Sequence, residues 1–392
     1  MPKTTTDFSS LGIPADLLQK IAKLGYTHPT PIQEQAIPAG LDGEDVVGIA
    51  QTGTGKTLAF GVPMLANLRP GEVGLVLVPT RELAVQVEES LAKLGAKVAT
   101  LIGGVPMGPQ VTRLKSKPSV IVATPGRLID HLQRRTLHLG RVAIFVLDEA
   151  DRMLDLGFAP AIRQIAESVP TERQTMLFSA TMPQAIEGLA NSYLNDPIRV
   201  EAAPPGTVAD RVEQELVVVD PAAKPEALRE ILRAHRGTVL VFTRTRHGAR
   251  KLARSLRLQG HSTAELHSDR TVSQRKAALN GFKSGEFRVL VATDIAARGL
   301  DVKEIALVVN YDLPGSAEDY VHRIGRTGRA GASGRAITFA SPDQHRGVKE
   351  IETHIQLKLP IGRQSQSAFP AKALMPVGAP KRRRFGRKPF AR

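Results

Sequence analysis

The sequence predicts an α/β protein made of two tandem parallel-sheet domains that flank a cleft, followed by a disordered basic tail. Short apolar runs alternate with helical patterns in each half of the chain. Such alternation is typical of a parallel sheet covered by helices. A stretch rich in proline and glycine separates the halves. The 392 residues are enough for two domains and a tail, at roughly 150 residues per domain.

The first domain is predicted to span residues 1–200 and the second residues 211–358, with a linker at 201–210 and the tail at 359–392. Predicted strands of the first domain are 46–50, 74–78, 98–102, 120–123, 144–147 and 175–178, with helices such as 82–94 and 159–168 between them. Those of the second domain are 216–219, 238–242, a short one before His267, 289–292, 306–310 and 336–339, with helices such as 247–259 and 274–282.

Composition excludes several classes of protein. The chain has no cysteine, which excludes disulfides, zinc–cysteine sites and cysteine nucleophiles. It has no apolar run near the roughly 20 residues that cross a bilayer, and its N-terminus lacks the apolar core of a signal peptide. We therefore expect a cytoplasmic protein without membrane contact.

The positive charge is concentrated at the C-terminus. Residues 358–392 contain ten Lys or Arg and no acid, so the net charge of +15 leaves only +5 for residues 1–357. A basic tail on a mildly basic body favours a polyanion as partner, and nucleic acid is the first candidate.

The apolar run at residues 142–147 ends in Asp148, Glu149, Ala150 and Asp151. An unbroken apolar run predicts a strand buried on both faces. Ligands bind at the carboxyl ends of such strands, and a carboxylate there suits hydrated Mg²⁺. The alternative is an acidic first turn of a helix.

Residues 50–57, AQTGTGKT, follow the first predicted strand and open a helix. Gly53 and Gly55 allow backbone N–H groups to approach phosphate oxygens, Lys56 reaches the β- and γ-phosphates, and Thr57 ligates the metal. The strict pattern has Gly at position 50, where this chain has Ala, and a plain Gly-rich turn is the alternative. Nucleotide binding then makes Asp148 the metal ligand and Glu149 the group that orients or deprotonates water.

This loop together with the sequence Asp148-Glu149-Ala150-Asp151 resembles the DEAD-box RNA helicases of helicase superfamily 2, in particular their compact bacterial members. The likeness covers residues 8–340, and the family's loop also begins with Ala. It implies two RecA-like domains, ATP and Mg²⁺ as cofactors, and GYTHPTPIQ at residues 25–33 as an adenine-reading motif, with Phe8 packed on the base. The implied nucleotide contacts are Phe8, Tyr26, Gln33, Gln51, Thr52, Gly53, Thr54, Gly55, Lys56, Thr57 and Asp301.

Three segments after predicted strands of the first domain, and two in the second, carry the turn residues and hydroxyls that βα loops need in any case. The resemblance implies that they bind RNA through its sugar-phosphate backbone. These residues are Pro79, Thr80, Arg81, Gly103, Gly104, Thr124, Pro125, Gly126, Arg127, Thr243, Arg244, Thr293 and Asp294. Aromatic residues make up 4% of the chain and Trp is absent, which favours backbone recognition over base stacking.

The resemblance also implies elements that couple the two domains. Ser179 and Thr181 match the segment that links hydrolysis to unwinding, although either could cap a helix near Pro183. Arg326 and Arg329 match arginine fingers and His322 joins the network around the attacking water, where the residues alone would suggest a solvated basic helix. The expected catalytic set is Lys56, Asp148, Glu149, His322, Arg326 and Arg329.

One segment departs from the family pattern. Around His267, Ser268 and Val272 stand where the family usually has Gly and Gln, whereas Arg275 keeps its position. We hypothesise weaker or altered coupling of RNA to the domains at this point.

The resulting expectation is a monomeric ATP-dependent RNA helicase that clamps single-stranded RNA and unwinds short duplexes or remodels RNA–protein complexes. The alternative is an ATP-gated RNA clamp or annealing chaperone that serves as an assembly scaffold.

Overall fold

The computed structural model describes residues 7–51, 53–202, 212–294, 305–328, 334–362 and 365. Its strands are β1 Val46–Ile49, β2 Val73–Leu77, β3 Val98–Leu101, β4 Val120–Ala123, β5 Val142–Leu147, β6 Gln174–Ser179, β7 Ile198–Glu201, β8 Val212–Val218, β9 Val239–Thr243, β10 Thr263–Leu266, β11 Val289–Thr293, β12 Leu307–Asn310 and β13 Gly334–Ala340. Thr52, Asp301, Arg329, most of the predicted linker and nearly all of the predicted tail lie outside the described residues.

The helices cover both faces of the sheets. They are α1 Ala15–Lys23, α2 Pro31–Leu41, α3 Lys56–Asn67, α4 Arg81–Lys93, α5 Met107–Lys115, α6 Pro125–Gln133, α7 Ala150–Asp155, α8 Ala159–Ala166, α9 Gln184–Tyr193, α10 Lys224–Ala234, α11 Arg246–Leu258, α12 Val272–Lys283, α13 Ala317–Ile324 and α14 His345–Ile355. Short 3-10 helices lie at Phe8–Leu11 and Pro342–Gln344. None of the helices in the described ranges is long and apolar enough to cross a membrane.

The first sheet has the strand order β3-β4-β2-β5-β6-β1-β7, and every pair is parallel. The strand β5 lies between β2 and β6 and alternates between two cores, with Val146 on one face and Phe145 and Leu147 on the other. Burial on both faces confirms the interpretation of this apolar run. The predicted two-domain parallel-sheet fold is confirmed in this half.

The sequence failed to predict the edge strand β7. Its residues read IRVE, and only Val200 is buried, because one side of this strand has no neighbour and one face lies open. A strand that buries a single side chain has no apolar alternation for the sequence to show.

The second sheet has the order β10-β11-β9-β12-β13-β8 and is also parallel throughout. The chain beyond Lys358, where the basic tail was expected to begin, still packs on it. Leu359 is buried, the Leu216 N–H donates to the Pro360 carbonyl at 2.8 Å, and the Gly362 N–H donates to the Leu216 carbonyl at 2.7 Å. The packed part of the second domain therefore extends at least to Gly362, and the Ser365 hydroxyl also accepts from the Val218 N–H at 3.1 Å.

Gly48 in β1 provides a test of the packing between sheet and helix layer. A Cβ at this position would lie 2.5 Å from the ring of Phe178, which is fully buried. We expect Gly48→Ala to lower the free energy of unfolding by about 1–3 kcal/mol, because the core has no room for the methyl group. Urea unfolding monitored by circular dichroism measures the change.

Gly188→Ala is the matched control. Gly188 lies on the exposed side of α9, and no atom lies within 4 Å of the position that an added methyl group would take. This substitution should raise the free energy of unfolding by up to about 1 kcal/mol, because Ala favours a helix over Gly. Equal unfolding midpoints for the two variants would contradict the tight contact at Gly48.

Candidate nucleotide and nucleic-acid site

The predicted site residues of the first domain lie at one edge of the sheet. The phosphate loop follows β1, Asp148 follows β5, and Ser179 ends β6. These three strands are neighbours in the order β5-β6-β1 and run parallel, so their carboxyl ends meet. The structure therefore brings the loop and the carboxylates together at the edge where open α/β sheets bind ligands.

The phosphate loop has the backbone geometry that its glycines predict. Gly53 and Gly55 have φ values of 89° and 90°, a region that favours glycine. Lys56 begins α3, and its Nζ is buried without a hydrogen-bond partner among the described residues. A buried ammonium group without a partner is costly, and an anionic ligand such as phosphate would satisfy it.

Gln33 holds the phosphate loop from the side of α2. Its Oε1 accepts from the Thr30 N–H at 2.9 Å, and its Nε2 donates to the Gly55 carbonyl at 3.0 Å. The Thr30 hydroxyl donates to the Thr54 carbonyl at 2.7 Å. The sequence suggested only a base contact for Gln33, yet one amide N–H remains for that contact. Gln33 thus links the predicted adenine motif to the loop.

The two candidate aromatic contacts to a base differ in exposure. Phe8 is 3% exposed and belongs to the hydrophobic core of the first domain, whereas Tyr26 is 49% exposed. A ring must present a face to solvent before a base can stack on it. Tyr26 presents such a face, and Phe8 offers little of one.

The carboxyl groups of Asp148 and Glu149 are buried side by side, but their pKa values shift in opposite directions. Burial raises the pKa of Asp148 to about 6, although Lys56 partly opposes the shift. Burial alone would also raise the pKa of Glu149, but Arg152, Lys56, Arg326 and His322 together lower it to about 2. Arg152 Nη1 lies 3.2 Å from Glu149 Oε2. Neighbouring acids with separated pKa values are typical of functional sites.

The backbone at Glu149 has a φ of 53°, in the left-handed region. A residue with a side chain is uncommon there and costs on the order of 1–3 kcal/mol. Glu149 precedes the first residue of α7 and makes no side-chain cap to that helix. The acidic-helix-start alternative therefore does not account for this residue.

Asp151 connects the carboxylate segment to residues 179–181. Its Oδ2 accepts hydrogen bonds from the Ala180 N–H at 3.0 Å, the Thr181 N–H at 3.1 Å and the Thr181 hydroxyl at 3.2 Å. The Ser179 hydroxyl accepts from the Asp151 N–H at 3.3 Å. The helix α9 begins at Gln184 without a side-chain cap, so Ser179 and Thr181 do not serve as its caps. The sequence analysis gave Asp151 no such role.

The second domain contributes Arg326 and His322 to the same cleft. Both lie close enough to Glu149 to lower its pKa. Arg326 is 3% exposed, and its Nε donates to the His322 carbonyl at 3.1 Å. The helix α13 ends at Ile324, and Gly328 has a φ of 67°. The glycines of this motif thus follow the helix, and the solvated basic helix is excluded for the described part.

Arg323 organises the carboxyl edge of the second sheet, a role that the sequence analysis missed. Its side chain is 2% exposed and donates to both carboxylate oxygens of Asp294, at 2.5 and 2.7 Å, and to the Asp312 carbonyl at 2.7 Å. The guanidinium carbon lies 5.1 Å from the Phe242 ring centroid. Asp294, expected at the RNA, therefore already has a bidentate partner.

The loop that carries Gly103 and Gly104 is held by side chains of two helices. Arg127 donates to the carbonyls of Ile102 at 2.9 Å and Val105 at 2.6 Å. Gln110 also contacts both carbonyls. Arg127 was expected at the RNA, but its guanidinium supports the loop instead of lying free in solvent.

Arg81 lies across the glycines of this loop. A Cβ at Gly104 would lie 2.1 Å from Arg81 Nη1, so the guanidinium would have to move, and the φ of +75° at this position favours glycine. The Thr80 hydroxyl caps α4 through the Leu83 N–H at 3.3 Å. Pro79 and Thr124 are buried just after their strands, Pro125 is buried as the first residue of α6, and Gly126 in the same helix is exposed.

In the second domain Thr243 is buried and Arg244 is exposed at the end of β9. The Arg244 Nη2 donates to the Leu313 carbonyl at 3.2 Å, and its backbone N–H donates to Asp312 Oδ2 at 3.0 Å. Thr293 pairs with Thr243 in the register of β11 and β9. The segments expected at the RNA therefore lie next to each other.

The two domains meet in a buried ion pair. Arg275 Nη2 lies 2.5 Å from Glu82 Oε1, and both side chains are less than a tenth exposed. Next to the pair, a groove of about 100 Å³ between α4 and α12 is lined by Val272 and Leu279. The Gln274 side chain accepts from the Thr271 N–H in a capping box. It therefore does not take the place of the Gln that the family usually has at the position of Val272.

Comparison with known proteins shows similarity over both domains. Residues 30–189 match the family model described as DEAD/DEAH box helicase, and residues 223–331 match the helicase conserved C-terminal domain. An Arabidopsis thaliana protein, DEAD-box ATP-dependent RNA helicase 30, is 42% identical over 373 residues, which are 91% of this chain and 63% of that protein. Bacillus subtilis CshA, a DEAD-box ATP-dependent RNA helicase, is 43% identical over 363 residues, or 91% of this chain and 74% of CshA.

Solved structures give the same result for the fold. Saccharomyces cerevisiae Dbp5 bound to RNA and ADP BeF3 superposes with a TM-score of 0.82 at 30% identity, covering 91% of this chain and 95% of that one. A TM-score of this size includes the relative placement of the two domains, which agrees with the electrostatic influence of Arg326 and His322 on Glu149 and with the Arg275–Glu82 ion pair.

The Glu82–Arg275 pair should stabilise the arrangement in which the domains meet. Glu82→Gln or Arg275→Met alone should disfavour it by about 3–5 kcal/mol, because each leaves a buried charge without its partner. The double variant should lose less than the sum of the two. Energy transfer between dyes on cysteines introduced in each domain measures closure, since the chain has no cysteine of its own.

Arg113→Met is the control, because its pair with Glu88 lies within the first domain and the Arg113 side chain is 56% exposed. Such a pair contributes about 0–1 kcal/mol. Additive losses in the Glu82 and Arg275 variants would show that the two side chains act independently.

Proposed function

Because the chain belongs to the DEAD-box ATP-dependent RNA helicases, whose members hydrolyse ATP in an RNA-stimulated manner, we propose how its own residues perform this activity. ATP binds at residues 50–57 and single-stranded RNA binds across the carboxyl edges of both sheets. Each ligand favours the closed arrangement, and the closed protein melts short RNA duplexes locally. The observation that carries this proposal is the proximity of Arg326 and His322, from the second domain, to Glu149 of the first.

The residues present fit ATP and Mg²⁺. Lys56 has the buried, unsatisfied ammonium group that a β- or γ-phosphate requires. Within the described ranges no group of three or more His, Cys, Asp or Glu side chains forms a metal site. Mg²⁺ is commonly held by one or two protein oxygens plus phosphates and water, which suits Thr57 and Asp148. The ion would neutralise charge that develops on the phosphates.

Glu149 is suited to orient the attacking water. Its cationic neighbours keep it ionised, so it can accept hydrogen bonds from this water and take up its proton as the bond to phosphorus forms. Arg326 supplies positive charge next to the transferring phosphoryl group once the domains close. Arg329, outside the described residues, is the second proposed finger. The dependence on closure explains why RNA stimulates hydrolysis, because RNA bound by both domains favours closure.

The RNA path is proposed to follow Arg81, the Gly103–Gly104 loop, residues 124–126, and Thr243, Arg244 and Thr293. Backbone N–H groups, the half-buried Arg81 and the exposed Arg244 at this edge suit phosphate and ribose contacts that carry little sequence information. Arg127 and Asp294 are proposed to position neighbouring loops, since their polar atoms have protein partners. The basic tail adds a sequence-independent tether.

A cytoplasmic location, a monomeric state and the domain limits of residues 1–200 and 211–362 belong to the same proposal. Each core is covered by helices of its own sheet, which supports folding of the two units without a further subunit.

Glu149→Gln separates a helicase from an ATP-gated clamp. We expect RNA-stimulated ATP hydrolysis to fall by about 10²–10⁴-fold, because the amide cannot accept the proton. Affinity for RNA in the presence of ATP should persist. Unwinding of a short labelled duplex measures function, with exposed Glu167→Gln as the matched control.

If the chain acts as a clamp or annealing scaffold, the Glu149→Gln variant should anneal complementary strands as well as the wild type, and the wild type should show no ATP-dependent strand separation. If the chain is a helicase, the wild type should separate the strands of the duplex, and the variant should bind the RNA without releasing separated strands.

The raised pKa of Asp148 predicts a pH effect on Mg²⁺ binding. The carboxyl is protonated below about pH 6, and a metal ligand must be deprotonated. The Mg²⁺ enhancement of ADP affinity should therefore fall as pH drops from 7.5 to 5.5, approaching about tenfold per pH unit below pH 6. Calorimetric titration measures it.

Asp148→Asn is the control, because the ionisation of ADP itself affects both proteins equally and cancels in the comparison. A parallel pH dependence in the wild type and in this variant would show that Asp148 does not titrate with metal binding.

A further inference from the structure

The exposed face of α11 has an unusual charge pattern. Arg246, Arg250, Lys251, Arg254 and Arg257 all lie on exposed positions, and residues 243–259 contain no Asp or Glu. The opposite face, with Ala249, Leu252, Ala253 and Leu256, is buried against the sheet. The helix has 13 residues, so its cationic face is about 20 Å long.

This helix accounts for the positive charge of the folded part of the chain. The helix α11 contains five Lys or Arg and no acid, whereas residues 1–357 have a net charge of +5, so the remainder of that part has a net charge of about 0. A concentration of one sign on one element creates a local positive potential that attracts polyanions.

Stability does not explain the pattern. Arg246 with Arg250, and Arg250 with Arg254, are like charges four residues apart, and such pairs destabilise a helix by about 0.2–0.5 kcal/mol each. An arginine in the first turn is also unfavourable to the helix dipole. By contrast, α10 mixes signs and contains the pair Arg229–Glu226.

Nearby carboxylates neutralise only part of this face. Asp269 is shared by Arg246 and Arg250, at 2.8 and 2.9 Å. Glu265 Oε2 lies 3.5 Å from Arg257 Nη2, and Glu265 also pairs with Arg270. Within the described part of the chain, Lys251 and Arg254 have no acidic partner.

The cationic face is continuous with the proposed RNA path. Arg244 follows the last residue of β9 and lies two residues before α11, and Asp269 joins the first two turns of α11 to the loop after β10. A strand that crosses Thr243 and Arg244 and extends beyond the cleft would therefore meet the first turn of this helix.

We propose that the exposed face of α11 binds the phosphate backbone of RNA that extends out of the cleft over the second domain. The contact is independent of sequence, because lysine and arginine on a solvent-facing helix recognise phosphate charge rather than base edges. It increases affinity for RNA longer than the cleft itself accommodates. This inference rests on the proposed function, since it extends the same RNA path.

The test uses the full chain and two kinds of RNA. The first is the shortest oligonucleotide that fully stimulates ATP hydrolysis, found by titrating length. The second is the same oligonucleotide extended at one end or at the other. The variant Lys251→Gln/Arg254→Gln removes the two cations without acidic partners. The control Arg233→Gln/Arg236→Gln removes the same charge from exposed positions at and just beyond the end of α10.

We expect the α11 variant to bind one of the extended RNAs about fivefold to tenfold more weakly at low salt, because counterion release by two phosphate contacts is lost. The slope of log affinity against log salt should become shallower by about 1.4. Affinity for the short RNA, ATP hydrolysis stimulated by it and basal hydrolysis should match the wild type. The α10 control should bind every RNA as the wild type does.

A second readout needs no substitution. Amine-reactive labelling of Lys251, followed by mass spectrometry, should be reduced by the effective extended RNA and unaffected by the short one. Unchanged affinity and unchanged labelling would overturn the proposal, as would an equal loss in the α10 control. Failure of the proposed function looks different, because no RNA would then stimulate hydrolysis by the wild type.

Discussion

The charge arrangement around Glu149 is the interaction on which the rest of the structure depends. One buried carboxylate is surrounded by Arg152 and Lys56 from its own domain and by Arg326 and His322 from the other. The first pair is present whatever the second domain does, whereas the second pair is present only when the domains meet. Electrostatic interactions of this kind are strong only where water is excluded. Closure therefore both completes the charge arrangement and strengthens it.

Much of the remaining polar structure keeps this edge in a fixed geometry. Gln33 and Thr30 hold the phosphate loop, Arg127 and Gln110 hold the loop of Gly103 and Gly104, and Arg323 holds Asp294. Buried polar groups of this kind must have partners, and each partner removes a conformational freedom. The ligand-facing loops are thus positioned by hydrogen bonds within the protein. Lys56 differs from these residues, because its ammonium group has no hydrogen bond within the described chain.

The distribution of charge gives the molecule two different ways to attract RNA. At the cleft, isolated arginines and glycine-rich turns act at short range and require a specific backbone geometry. The cationic face of α11 and the basic tail act through net charge, without a requirement for sequence or shape. A chain that is otherwise nearly neutral concentrates its positive charge at these two places, which in our proposal retain long RNA while the cleft opens and closes.

The sequence by itself determined the fold class, the central strands and the positions of the phosphate loop and carboxylates, because buried parallel strands and glycine-rich turns leave a local pattern. It missed β7, because an edge strand with one buried residue leaves none. Tertiary structure alone decided that Asp151 binds residues 180–181, that Arg323 holds Asp294, and that Tyr26 rather than Phe8 presents an exposed ring. These outcomes depend on contacts between residues far apart in the chain, for which no local spacing rule exists. The pKa difference between Asp148 and Glu149 has the same origin. Adjacent carboxyl groups acquire different pKa values when folding buries both of them and surrounds one of them with cations.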